Sequence, residues 1–192
     1  MSFKKDKYII VRNALDKTLN NFILNYLLFK KQAVDILYHH KKIPLNSTLF
    51  GIYNDEQCPN TYSHYADMVA ETLLMYLLPI IEKKTKLKLI PTYSYLRIYK
   101  NGDILKKHID RPSCEISVTL NVEGAGWDIF MGGKPLSLNP TDLIIYKGME
   151  IAHWREPFKG DRCVQIFLHY NDVNGPFKNE NLYDKRPWIC LP

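Results

Sequence analysis

The stretch Tyr99–Asp110, YKNGDILKKHID, ends a strand-like run, passes through a Lys-Asn-Gly-Asp turn signal, and then sets a histidine and an aspartate two residues apart. Residues i and i+2 of a β-strand point to one face, so a strand here presents the His108 imidazole and the Asp110 carboxylate side by side. That pair supplies two ligands of a metal site. The chain around it has the matching texture. From about Leu87 it breaks into the short runs LKLIPTYSYLRIY, CEISVTLNV, WDIFM, DLIIYKG and RCVQIFLHY, separated by KNGD, EGAG, GGK and NPTD. Turn signals at this interval argue for antiparallel strands in a sandwich or barrel.

Upstream the pattern is helical. Tyr8–Arg12, YIIVR, reads as a short strand, and after it Leu15, Leu19, Phe22, Ile23, Tyr26 and Leu27 recur with the period of one amphipathic helix face. Tyr65, Val69, Leu73, Tyr76 and Leu77 repeat the pattern, with Thr61 or Ser63 available as N-cap and Pro79 kinking the helix or ending its regular part. Residues 39–60 carry turn chemistry and read as a long loop with room for one strand. Helices followed by strands predict an α+β, mainly β fold, with the N-terminal helices packed on one outer face of the sheet. No repeat or linker divides the 192 residues. A single domain is expected, with a strand and supporting helices in 1–86, the β core in 87–170 and a tail in 171–192.

Composition allows one substantial core, at 46% hydrophobic and 12% aromatic. Lys plus Arg (26) exceed Asp plus Glu (20), a net charge of +6. The excess lies in scattered pairs such as Lys30-Lys31, Lys41-Lys42 and Lys83-Lys84, whereas a nucleic-acid surface needs clustering on one face. The four cysteines, Cys58, Cys114, Cys163 and Cys190, form no CxxC pair and read as free thiols of a reducing, cytoplasmic compartment. The N-terminus has no apolar h-region, and the longest apolar run, LLMYLLPII, is too short to span a bilayer, so no membrane partner is expected.

One short motif does not surround an ion, so a third ligand is needed from a later strand. His153 follows DLIIYKG at its open end, whereas His169 sits inside a run of alternating large residues; the strand reading selects His153. Two histidines and one carboxylate on one face of a metal leave the opposite positions open, the arrangement of non-haem Fe(II) oxygenases. Nine residues further on, Arg162 opens the last long strand after the EPFKGDR turn. If these two strands are antiparallel neighbours, the guanidinium lies one strand deeper than the metal, where its fork can anchor a dicarboxylic acid that chelates the metal at the other end. The plain alternative makes Arg162 a salt-bridge partner of Asp161 or Glu156. His39 and His40 are adjacent, diverge in any regular structure, and read as surface residues; His64 reads as a cap-region residue.

At His108, Asp110, His153 and Arg162 the chain resembles the 2-oxoglutarate/Fe(II)-dependent oxygenases, most closely their prolyl 4-hydroxylase-like branch. The resemblance is clear over about Leu96 to Tyr170. It implies a double-stranded β-helix, a cupin-like jelly roll whose mouth holds the metal. It also implies His108, Asp110 and His153 as iron ligands, Arg162 on the distal carboxylate of 2-oxoglutarate, Tyr99 approaching this cosubstrate, and Thr119, in SVTLN, helping to hold the same carboxylate. Relatives often carry tyrosine at that last position. The implied reaction couples oxidative decarboxylation of 2-oxoglutarate, giving succinate and CO2, to insertion of one atom of O2 into a C–H bond, with ascorbate as candidate reductant. A peptidyl proline is the leading substrate, with another protein side chain or a free amino acid close behind.

A nucleic-acid demethylase of the same superfamily is the rival enzyme reading, encouraged by the net charge. Such relatives carry a second arginine six residues after the first, where this chain has Leu168. The rival outside enzymes is a non-catalytic, metal-holding β-helix binding module; an open-sided triad speaks against it, because structural metal sites are normally closed by four protein ligands. Trp127 and Trp154 are candidates to line a substrate groove. Arg97 shares strand parity with Tyr95 and Tyr99, so it is expected to face the pocket and pair with a substrate carboxylate or phosphate. The tail is expected to run back over the sheet or towards the mouth, as a candidate lid, with Trp188 and Ile189 docked.

Overall fold

In the computed structural model, which describes residues 3–44, 47–178 and 181–192, the chain begins α1 (Phe3–Asp6), β1 (Tyr8–Val11), α2 (Lys17–His39), β2 (Tyr62–Tyr65) and α3 (Met68–Thr85). The strands β3 (Leu89–Lys100), β4 (Leu105–His108), β5 (Ile116–Glu123), β6 (Ile129–Met131) and β7 (Lys134–Leu136) come next. The last three are β8 (Leu143–Lys147), β9 (His153–Arg155) and β10 (Arg162–Asp172). They pair into a six-stranded sheet, ordered β1-β8-β5-β10-β3-β2, and a four-stranded sheet, ordered β4-β9-β6-β7. All pairings are antiparallel. This is the double-stranded β-helix, with the N-terminal helices on one face of the larger sheet.

Alternation along the strands decides what each face meets. On β10, Val164, Ile166 and Leu168 join Ile23, Leu27, Leu74 and Leu77 of α2 and α3 in the main core. Cys163, Gln165, Phe167 and His169 take the opposite parity and face the smaller sheet. The larger sheet is therefore covered on both sides, which is why its strands read as near-continuous hydrophobic runs. Ile129 and Met131 of the small sheet close the interior against Ile144 and Tyr146.

Several helix expectations need correction. α3 starts at Met68 with Asp67 as N-cap, its Oδ1 accepting from the Val69 and Ala70 amides at 3.0 Å. Thr61 and Ser63 cap nothing, because Tyr62–Tyr65 pairs with β3 as an edge strand, and Tyr65 and His64 belong to that strand. Pro79 does not end α3, which runs on to Thr85 and stops at Lys86, a left-handed residue at φ 63°. The ring removes one backbone donor, but Leu77 and Ile81 on either side are wholly buried and hold the helix to the sheet. Phe22 and Tyr76, expected on the buried faces, are 66% and 60% exposed. Within 39–60 one isolated bridge forms, Ile52 to Ser63. In the tail, Trp188 is 59% exposed and rests on Tyr183 instead of docking in the core; the anchor is Arg186, whose guanidinium reaches the buried Glu71 carboxylate at 3.1 Å. Among the described residues no helix is long and apolar enough to cross a membrane.

Candidate metal centre

His108 is the last residue of β4 and pairs with His153, the first of β9, so the two imidazoles stand side by side with ring centroids 4.3 Å apart. Asp110 lies just beyond the strand, held there by its amide, which donates to the Gly148 carbonyl at 2.9 Å. The expected same-strand pair thus becomes a strand end and the turn after it. Asp110 Oδ1 is 3.5 Å from His108 Nε2 and 3.4 Å from His153 Nε2. Each ring is oriented from behind: His108 Nδ1 bonds the Lys106 carbonyl at 2.7 Å, and His153 Nδ1 the Ile151 carbonyl at 3.0 Å. Committing Nδ1–H to a carbonyl leaves Nε2 as the bare nitrogen, the tautomer a metal requires.

The carboxylate is positioned as firmly. Asp110 Oδ2 accepts from Ser117 Oγ at 2.7 Å. A Cβ on Gly148 would stand 2.3 Å from Asp110 Oδ2 and 2.4 Å from the Cys114 carbonyl, so glycine is required for this close approach. His169, the other histidine candidate, stands behind the centre. Its Nδ1 is 3.0 Å from Ser117 Oγ, and burial pushes its pKa down to about 4, so it is a neutral hydrogen-bonding residue.

The donor set fits a divalent metal. One atom from each of His108, Asp110 and His153 lies within 4.8 Å of the others. Bonds of about 2.1 Å at right angles need neighbouring ligand atoms ~3 Å apart, close to the 3.5 and 3.4 Å that separate Asp110 Oδ1 from the two Nε2 atoms. Three protein ligands on one side leave the rest of the coordination sphere for small molecules.

In front of the triad is a cavity of about 320 Å³. Tyr93, Tyr95, Arg97 and Tyr99 of β3, with Phe167 and His169 of β10, form one wall. Arg97 faces the pocket as its parity requires, but it is already engaged: Nη2 donates to Asp55 Oδ2 at 2.7 Å, and Nη1 to Gln57 Oε1 at 3.2 Å and the Tyr99 hydroxyl at 3.3 Å. Gln57 in turn reaches to 3.4 Å from His108 Nε2, so the Asp55–Gln57 loop borders the mouth. Arg111 borders the other side, forked onto Asp184 of the tail at 3.1 and 2.7 Å.

Arg162 is not brought to the site. It shares parity with Val164, Ile166 and Leu168, on the helix side of β10, and its half-exposed guanidinium pairs with Glu123 at 2.7 Å. The expected adjacency also fails, because β9 and β10 belong to different sheets. Neither Asp161 nor Glu156 is its partner. Trp154 points outward between His153 and Arg155, stacked on Phe130 at 5.1 Å. Trp127 is buried behind Tyr99, 4.8 Å between centroids, and does not line the triad cavity. Thr119 is fully buried on the inner face of β5, its hydroxyl beside that of Tyr146.

Sequence reading missed Ser117, Tyr146 and Arg155. The i+2 spacing from His153 is the signal for Arg155, since alternation on β9 puts His153 and Arg155 inside and Trp154 outside. Arg155 is 1% exposed, and burial lowers its pKa. Its Nη1 donates to the Trp127 carbonyl, while Nε and Nη2 have no partner.

No protein-family model matches the sequence, and no curated protein is similar to it by sequence. Solved structures with a similar fold include prolyl hydroxylases and non-heme alpha-ketoglutarate-dependent enzymes. A Pseudomonas putida prolyl-4-hydroxylase superposes with a TM-score of 0.66 at 12% identity, over 88% of this chain and 95% of that one. The viral collagen prolyl hydroxylase from Paramecium Bursaria Chlorella virus-1, in complex with 2-oxoglutarate, gives 0.61 at 12%, over 88% and 98%. HygX from Streptomyces hygroscopicus, with nickel, 2-oxoglutarate and hygromycin B bound, gives 0.66 at 8%, over 90% and 85%. What these share with the present chain is the fold.

Proposed function

We propose that residues 1–192 form a single 2-oxoglutarate- and Fe(II)-dependent oxygenase domain that hydroxylates a C–H bond, with a prolyl residue of a protein or peptide as leading substrate. The observation that carries this reading is the open-sided triad: two bare Nε2 atoms and Asp110 Oδ1 converge at the mouth of a β-helix, each fixed from behind by a carbonyl or hydroxyl. In this role His108, Asp110 and His153 hold the iron, which with 2-oxoglutarate and O2 supplies the oxidising power, leaving succinate and CO2; ascorbate is the candidate reductant.

The protein's own residues bind, orient and exclude water. Ser117 and Gly148 keep the Asp110 carboxylate aimed at the metal position. Tyr99 and Thr119 lie on the inner faces of β3 and β5, where the cosubstrate chain would run. The rings of Tyr93, Tyr95 and Phe167 shield the cavity and suit a compact, apolar ring such as pyrrolidine. None of the triad acts as general base.

Two features weigh against a nucleic-acid substrate. A cavity of about 320 Å³ is at the small end for ligand sites and suits a five-carbon diacid with one side chain better than a nucleotide. The pocket arginines, Arg97 and Arg111, are each neutralised by a carboxylate, Asp55 and Asp184.

The test is an anaerobic titration of metal-free protein with Fe(II) and then 2-oxoglutarate, monitoring the visible charge-transfer absorption of the chelate, with His153→Ala as control. Succinate release is then scored with prolyl peptides and methylated nucleic acids. A folded, iron-binding protein that develops no band overturns the oxygenase reading in favour of a metal-holding binding module.

A further inference from the structure

A helix on the surface of a protein normally sets charged side chains opposite its buried apolar stripe. The outer face of α2 does not. Its buried stripe includes Ile23, Leu27 and Val34, and the face turned from it carries Phe22, Asn25, Phe29, Gln32, Ala33 and Ile36, all exposed and all uncharged. The charges of the same span are engaged at the flanks of the helix: Lys30 reaches Asp67, and Lys31 pairs with Asp35 at 2.7 Å. Large apolar side chains in a surface depleted of charge are the composition of an interface core.

The stripe has the period of a helix seam. Phe22, Tyr26, Phe29, Ala33 and Ile36 follow one another at steps of four and three, the spacing of contact positions in paired helices. Seven residues turn a helix by about 700°, so Phe22 and Ile36 stand only ~20° to either side of Phe29. Beside the seam a groove of about 360 Å³ brings Tyr26 and Ala33 together with Leu49, Phe50 and Met68, and extends the apolar surface.

Symmetry and area identify the occupant as a second copy of this chain. The stripe is symmetric about Phe29, so a two-fold axis there sets Phe29 against its own copy and Phe22 against the second copy's Ile36, the self-matching that an isologous dimer requires. The helices are then antiparallel, with opposite dipole ends adjacent. Each chain carries a net charge of +6, and the neutral stripe lets two copies meet without like charges face to face. Aromatic side chains offer about 200 Å² each, so Phe22 and Phe29, at 66% and 70% exposure, present roughly 270 Å². Ile36, Leu49 and Met68, each more than half exposed, bring this towards the apolar share of the about 800 Å² that each partner gives to a standard interface.

We propose that the outer face of α2 is a dimerisation surface, joining two copies of this protein in antiparallel through Phe22, Phe29 and Ile36. It lies on the helix side of the larger sheet, away from the metal centre, and does not depend on the oxygenase reading.

The test is sedimentation velocity on the full-length protein from micromolar to sub-millimolar concentration, joined to disulfide trapping. The wild type should sediment with the mass of two chains. Phe29→Glu, which sets two carboxylates together at the axis, should raise the dimer dissociation constant about 100-fold or more and leave the circular dichroism unchanged. Trapping uses a Cys190→Ser background, because the other three thiols are buried. Mild oxidation of a mixture of Phe22→Cys and Ile36→Cys should link the two variants. Phe22→Cys alone should not link, since the antiparallel register holds its two copies about 21 Å apart along the seam. A wild type that stays a single chain throughout overturns the proposal and leaves the stripe to a different partner. So does a folded Phe29→Glu that associates as the wild type does. Self-linking of Phe22→Cys, or no link in the mixture, overturns the register, and both cross-linking results hold even if Phe29→Glu does not fold.

Discussion

Ser117→Ala removes one hydroxyl and, on the proposed function, should loosen the metal without touching a metal ligand. Ser117 Oγ donates to Asp110 Oδ2 at 2.7 Å, a bond to a charged acceptor in a buried setting. Such bonds contribute about 1.5–3 kcal/mol, and loss of a partner that orients a metal ligand typically costs about 10–100-fold in metal affinity. The same oxygen is 3.0 Å from His169 Nδ1. Truncation therefore also strands a buried ring nitrogen, at about 1–3 kcal/mol of stability. The expected result is a Mn(II) or Co(II) dissociation constant raised by one to two decades, measured calorimetrically, with a midpoint of urea unfolding that falls in the apo protein as well. Ser117→Thr, which keeps the hydroxyl, should recover part of the affinity. An unchanged metal affinity in folded Ser117→Ala would refute the reasoning and leave the Gly148 backbone as what aims the carboxylate.

Gly148→Ala should be worse than its size suggests: the added methyl meets Asp110 Oδ2 at 2.3 Å, so either the ligand or the backbone must shift, and metal affinity measured by the same titration should drop at least tenfold. Arg186→Ala should cost about 3–5 kcal/mol in urea unfolding, since it leaves the wholly buried Glu71 carboxylate without its cation and unpins the tail; deleting 183–192 should likewise lower stability, as expected of a strap. Asp67 contributes to the acid limit. Burial pulls its carboxyl up, but the hydrogen bond with His64 and the Lys30 charge outweigh this and hold it far below the unfolded value near 4. The stability it provides is complete above that unfolded value and drains away as pH falls towards the depressed one, so Asp67→Asn should flatten the acid limb of stability against pH.

Local pattern made the β-helix core legible, and with it the three side chains that converge as the candidate metal centre. Strand runs and their turn signals located the core, and His108, Asp110 and His153 were picked out by residue type and position in the strand rhythm. The Arg162 expectation failed for a reason that lay in the same strand: Arg162 has the parity of Val164, Ile166 and Leu168, whereas Gln165 and His169, the polar residues that mark the inner face, have the other. Proximity in sequence to His153 outweighed that alternation. α3 was misread at its start because YSHY and the helix after it present one apolar pattern, and only pairing with β3 shows that the first four residues are a strand.

By itself the sequence determined the periodicities, the turn positions and which residues are chemically able to bind a metal, because these depend on side-chain type and on neighbours a few positions away. Which strands share a sheet, and which side chains thereby meet, was decided by tertiary packing. β4 and β9 pair to bring His108 beside His153, while β9 and β10 part into opposite sheets. That partition sets β10, whose Arg162 turns by strand parity to Glu123, in a sheet apart from His153, and closes Arg155 of β9 into the interior.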